Sequence, residues 1–381
     1  MNLFGDPETE RATDLDDGFG SYEPEEPAER FMHPRLMDGA KGFEEIEKNL
    51  ISLFEKGRMP HGLIFAGPKG IGKATFAYAL ARFLLKHGDF DPNQDSLFGG
   101  PPELPQNFSI ARDDRVFSLV ASGAHPDLLS VERAYDEGKN KYASGVAVAD
   151  IRKVNPFLRM TASDGGWRVV IIDDADTMNR SAQNALLKIL EEPPENTLLV
   201  LISHRLGALI PTIKSRTQTV HFNAPSQALF NELLSGMSND LDTLYAYSCG
   251  SIGNALEFVE QDGLELLPRL LEIMSTRPKW NWVELHKLGD ELVKSGKDQR
   301  YQNFTELLNW IMRQAVRSKA RARAIEPQLL NVRAVKEMIE QSSLEELLEI
   351  CDSLSQHFRQ FDFANLDKKQ AVLRAFHILG A

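Results

Sequence analysis

Between residues 60 and 222 short apolar-rich segments alternate with helical repeats. "GLIFAG" is the first run, and it leads into a glycine-rich turn. "DLLSVER", "WRVVIIDDAD", "TLLVLIS" and "TQTVHF" are the others. These read as strands, and the four apolar residues in a row at Val169–Ile172 are what a sheet covered on both faces requires. Between them, "KATFAYALARFLLKHG", "VADIRKVNPFL" and "SAQNALLKILEE" repeat at helical spacing. The last puts Ala182, Ala185, Leu186, Ile189 and Leu190 on one face, and Pro193-Pro194 stops it. Alternating strands and helices predict an α/β fold with a parallel, doubly wound sheet and right-handed crossovers.

Upstream, "FEEIEKNLISLFEKG" spaces Phe43, Ile46, Leu50, Ile51 and Phe54 as a helix. Beyond Pro225 the strand pattern ends. Residues 226–381 read as successive amphipathic helices, with a weak break near 274–282 ("MSTRPKWNW"). Residues 88–115 hold four prolines among Gly, Asp and Asn and read as a mobile insertion. Residues 1–35 show no periodicity and read as a disordered acidic tail.

Composition changes this picture in three places. The 381 residues carry a net charge of −12, and residues 1–30 alone hold ten carboxylates against two arginines. A nearly balanced body therefore follows an acidic tail, which argues against gripping nucleic acid by bulk charge. Cys249 and Cys351 are the two cysteines, so neither a disulfide framework nor a four-thiolate zinc site is expected. No apolar run approaches the ~20 residues of a membrane span, and the N-terminus lacks an apolar signal segment. A cytoplasmic protein without membrane contact is the expectation.

The candidate chemistry begins at "GPKGIGKAT", residues 67–75, between a strand and a helix. Backbone N–H groups and a helix N-terminus converge there on phosphate oxygens. Gly67, Gly70, Gly72 and Lys73 suit a phosphate loop of the form GxxxxGK[ST], but Ala74 stands where a Mg²⁺-binding hydroxyl is needed. Thr75 comes one position late, turned by roughly 100° around the helix. "VVIIDD" places Asp173 and Asp174 at the carboxyl end of a strand, where open α/β sheets hold ligands. The second acid of such a pair polarises the attacking water, and Asp174 is one methylene shorter than the usual Glu. Ser203 ends the next strand and can orient a water or a γ-phosphate. Arg216, in "PTIKSRT", is either a surface arginine or one offered to a neighbouring subunit's nucleotide. Arg313, Arg317, Lys319, Arg321 and Arg323 read as a solvated or subunit-facing stripe.

"GPKGIGKAT", "VVIIDDAD", "SAQNALLKILEEPP" and "PTIKSRT", in this order and spacing, resemble the clamp-loader branch of the AAA+ superfamily, and most of all its delta-prime family in bacterial DNA polymerase III. The resemblance covers residues of about 33–260. It implies an AAA+ phosphate-loop domain (36–224, with the insertion at about 88–115), an all-α lid (225–278) and an all-α oligomerisation collar (279–381). It implies a five-subunit ring with gamma/tau and delta subunits, acting through the complex on primed DNA and the sliding clamp in replication. Gly67, Gly72, Lys73, Asp173 and Asp174 match the nucleotide motifs, Ser203 the first sensor, and Ser215-Arg216-Thr217 the Ser-Arg-Cys motif. Asn254, in "GSIGNAL", stands where the second sensor has arginine. Relatives carry a four-cysteine zinc module that residues 88–125 lack, so no zinc is expected. Ala74, Asp174 and Asn254 together imply a subunit without ATPase activity of its own. ATP or ADP would then bind weakly or vestigially, and Mg²⁺ only with nucleotide. Arg216 would be an arginine finger in trans. Two other readings stay open: an active AAA+ ATPase of replication or repair, and a structural adaptor with relic motifs.

Overall fold

The computed structural model describes residues 33–90, 104–136, 141–163, 166–238, 240–277, 279–293, 298–321, 333–364 and 366–380. The acidic tail through residue 32 and residues 91–103 of the predicted insertion lie outside these. A 3-10 turn at Pro34–Leu36 leads to α1 (Glu44–Glu55), β1 (Gly62–Ala66) and α2 (Lys73–His87). Then come α3 (Arg115–Ala121), β2 (Leu128–Val131), β3 (Tyr135–Asp136), β4 (Lys141–Tyr142) and α4 (Val148–Leu158). β5 (Arg168–Ile172), α5 (Arg180–Glu191), β6 (Thr197–Ser203), α6 (Pro211–Lys214) and β7 (Gln218–His221) complete the α/β part.

The sheet runs β2-β5-β6-β1-β7, parallel throughout. This is the predicted doubly wound α/β fold, with β1 between the two last strands. Successive side chains of a strand point to opposite faces, and the core divides accordingly. Leu63, Phe65, Val169, Ile171, Val200 and Ile202 pack with α1 and α2. Ile64, Val170, Ile172, Leu199 and Leu201 pack with α4 and α5. β3 and β4 form a separate antiparallel ribbon in which Tyr135 faces Tyr142.

Part of the segment read as an insertion is packed rather than loose. Phe108 and Ile110 are buried, with Phe108 against the Phe76 and Phe83 rings. The tail reading also ran too far, to residue 35. Arg82, fully buried on α2, donates to the carbonyls of Arg35, Met37 and Asp38 and so ties the entering chain to the core.

The helices that follow are α7 (Gln227–Leu233), α8 (Leu241–Ser248), α9 (Ile252–Glu260) and α10 (Gly263–Met274). Then come α11 (Trp282–Val293), α12 (Asp298–Arg321), α13 (Arg333–Gln341), α14 (Leu344–Phe363) and α15 (Lys368–Gly380). One apolar core runs from Phe230 to Leu379. Tyr247 meets Trp310, and Trp280 meets Phe376. The break near 274–282 therefore interrupts the chain but not the packing. In the basic stripe Lys319 donates to the Ile339 carbonyl. The Arg321 side chain and Arg323 lie outside the described residues.

Candidate nucleotide site

Gly67, Gly70, Gly72, Lys73, Asp173 and Asp174 come together at the carboxyl edge of the sheet, with Ser203 at the same level of the backbone. The register pairs Ala66 with Ser203 and with His221, so the loop after β1, the end of β6 and the end of β7 share one level. Asp173 follows β5 directly. The loop has the required backbone: Gly70 and Gly72 take φ of 74° and 101°, which side chains rarely adopt. A Cβ on Gly67 would lie 2.3 Å from the Phe222 carbonyl oxygen. Gly72 caps α2, whose N-terminus points at the loop.

The side chains tell a different story. Lys73 is buried and donates to Gly67 O (2.8 Å), to Pro68 O and to His204 Nδ1 (2.9 Å). An ammonium has three N–H donors, so the three are taken within the protein. Burial pushes Lys73 down to about 8, against the pull of Asp173, Asp176 and Asp174. Asp173 is raised by burial and then by the neighbouring Asp174 charge. Asp174 takes φ of 49°. Its carboxylate accepts from His204 Nε2 (2.8 Å) and from Arg133 Nε (2.5 Å). The His204 hydrogen bond, more than Arg133, holds it down at about 2.

Sequence reasoning missed His204, Arg133 and Asp176. The expected sensor, Ser203, is fully buried with its Oγ unpartnered. The next residue, His204, reaches the site instead. Asp176 holds it there, accepting from His204 N and from Arg205 Nε, both at 2.9 Å. The one available signal was a histidine directly after a buried strand.

The start of α9 contacts the loop. Gly253 N donates to Gly70 O (2.7 Å), and Ser251 Oγ donates to Lys69 O (2.8 Å). A Cβ on Gly253 would stand 2.9 Å from Gly70 Cα. Asn254 has its Oδ1 3.1 Å from where a Cβ on Gly70 would be.

The loop backbone thus fits a polyphosphate, but the metal and hydrolytic groups do not fit Mg-ATP turnover. Ala74 packs against the apolar core and offers no oxygen. Asp173, Asp174 and His204 bring ligand atoms within 4.8 Å of one another. Lys73 and Arg133 already hold two of them. Restoring the missing hydroxyl alone should therefore achieve nothing. Ala74→Ser should release no phosphate from Mg-ATP above the parent chain. Turnover near 1 s⁻¹, an ordinary enzymatic rate, would show that Asp174 is free enough to act.

Arg216 is elsewhere. It follows α6 at the start of β7, while the phosphate loop lies level with that strand's end. At ~3.3 Å per strand residue the separation is on the order of 15 Å. Its guanidinium pairs with Glu191 (2.9 Å) and donates to Thr212 O (3.1 Å), with about a third of the side chain (35%) exposed.

The chain has recognisable relatives. The family model described as "DNA polymerase III, delta subunit" matches residues 107–226. The delta-prime subunit of DNA polymerase III from Pseudomonas aeruginosa is 34% identical over 196 residues, 50% of this chain and 53% of that one. The Escherichia coli delta-prime subunit is 30% identical over 244 residues, 62% of this chain and 66% of that one. The chain thus spans about half to two thirds of the length of these relatives. A solved structure of a DNA polymerase III gamma-subunit-related protein from Thermotoga maritima is 20% identical, with a TM-score of 0.39 over 87% of this chain and 98% of that one. The order of the motifs agrees with these relatives: over about half of its length or more, the chain resembles the delta-prime subunit of bacterial DNA polymerase III.

Proposed function

We propose that the chain is a delta-prime-like subunit of a clamp loader, joined to gamma/tau and delta subunits in a five-membered ring that places the sliding clamp on primed DNA. It binds ATP or ADP weakly, with Mg²⁺ only alongside nucleotide, and turns none over. Its chemical contribution is Arg216, offered to the ATP of the adjoining subunit. The observation that carries this reading is the division of charge between the two edges of the sheet. Lys73 and Asp174 are tied to each other through His204 at the carboxyl edge. Arg216 stands at the opposite edge, too far away to serve the same site. An arginine so placed serves a nucleotide outside its own chain.

Reconstitution tests membership. Mixed with the tau and delta subunits of the same cell, the chain should co-elute as one complex and restore clamp loading on primed DNA. A chain that stays monomeric in that mixture, and leaves loading unchanged, would sink the proposal.

A further inference from the structure

We propose that His204 is the residue that closes the phosphate loop to nucleotide, and that a binding site for a nucleoside polyphosphate lies latent beneath it. This rests on the reading that the chain's own site does not turn over ATP, and it names the group responsible.

The imidazole works in both directions. Its Nδ1 accepts from Lys73 Nζ, so the ring proton is on Nε2, which donates to Asp174 Oδ1. The ammonium's other two acceptors, Gly67 O and Pro68 O, belong to the loop itself. His204 is the anchor from outside the loop among the described partners of Lys73. It is fixed in turn, because its backbone N–H is held by the buried carboxylate of Asp176. A lysine in this loop acts by reaching outward to the outer phosphates. Here it is turned back, fully bonded, onto carbonyls and imidazole.

The rest of the loop is not spent in this way. The lid's two hydrogen bonds land on the carbonyls of Lys69 and Gly70. Carbonyls are not the groups that grip phosphate, so these two contacts take none of the loop's amide donors, of which Gly67 N–H alone is seen to donate elsewhere, to Ser203 O (3.2 Å). The loop keeps its positive φ angles at Gly70 and Gly72 and its helix N-terminus. Backbone recognition of phosphate is therefore intact, and the lysine is withheld.

Removing the imidazole frees Lys73 while Asp174 stays neutralised by Arg133. Binding should improve without hydrolysis. The test is calorimetric titration of the full chain with Mg-ATP and, separately, with Mg-ADP. His204→Ala should tighten binding of both by about tenfold or more, the equivalent of roughly 1.4 kcal/mol. Adding Lys73→Ala to that variant should abolish the gain, which ties it to the released ammonium. His204→Ser carries the same test should the alanine variant not fold, as judged by thermal unfolding. Unchanged affinity in the His204 variants, or a gain that survives Lys73→Ala, overturns the proposal. Phosphate release measured on the same samples reports separately on the inactive-site reading. A variant that tightens and also hydrolyses would refute that reading and leave the latch standing.

Discussion

Arg216→Ala should leave ring assembly intact and cut the clamp- and DNA-stimulated ATPase of the reconstituted complex, by silencing one site. Where a trans arginine has been dissected it is worth roughly 10³–10⁵ in rate. The adjoining site should accordingly fall to background while other sites keep their own arginines. The total loss is partial, and single-turnover kinetics should resolve it as one missing population rather than a uniform slowing. The fold should not notice. The Arg216–Glu191 pair is half exposed, and such pairs contribute about 0–1 kcal/mol. Arg216→Lys should rescue poorly, because an ammonium does not reproduce the planar fork on phosphate oxygens. Wild-type ATPase and loading by the alanine complex would return Arg216 to an ordinary surface residue.

The largest expected loss of stability lies at the amino edge of the sheet. Asp127 and Arg168 form an ion pair at 3.0 Å, with side chains 6% and 5% exposed. Arg168 also donates to the carbonyls of Phe157 and Thr161 and lies over the Phe157 ring. Asp127 accepts from Ser163 N with both oxygens. Asp127→Ala strands the guanidinium in the interior. Breaking a buried pair from one side costs about 3–5 kcal/mol. Chemical denaturation should show that loss, and Asp127→Ala with Arg168→Met should recover most of it, since an apolar pair leaves no buried charge. A single variant within about 0.5 kcal/mol of the parent would mean that water reaches the site.

The three central strands, β1, β5 and β6, were legible because covering both faces requires apolar runs; the edge strands β2 and β7, half exposed, followed from their place in the strand–helix alternation. The phosphate loop was legible because its glycines serve backbone geometry, and that demand is local. The β3–β4 ribbon was not, since two-residue strands carry no periodicity. Phe108 and Ile110 sit in a Pro- and Gly-rich segment that reads as loop, and burial shows them only in the fold, Phe108 against the Phe76 and Phe83 rings. His204 escaped for a different reason. Its partners are 131 and 30 positions away, at Lys73 and Asp174. A single histidine after a strand says nothing until folding brings those charges to its two nitrogens. The three departures at Ala74, Asp174 and Asn254 were visible as missing groups. What has taken hold of the remaining groups is a tertiary fact.

The seam between Gly70 and Gly253 bears on which sequences this chain can reach by small steps. Helix α9 begins against the loop backbone, with a glycine on each side and 2.9 Å of room for a Cβ. Any side chain added at 253 collides while the two backbones touch, and any at 70 must adopt a φ that L-residues avoid. A longer side chain at 254 would enter a space already lined by Ser251 and the loop. Growth at any of these three positions therefore requires the start of α9 to move off the loop, so none of them can change size independently of the others.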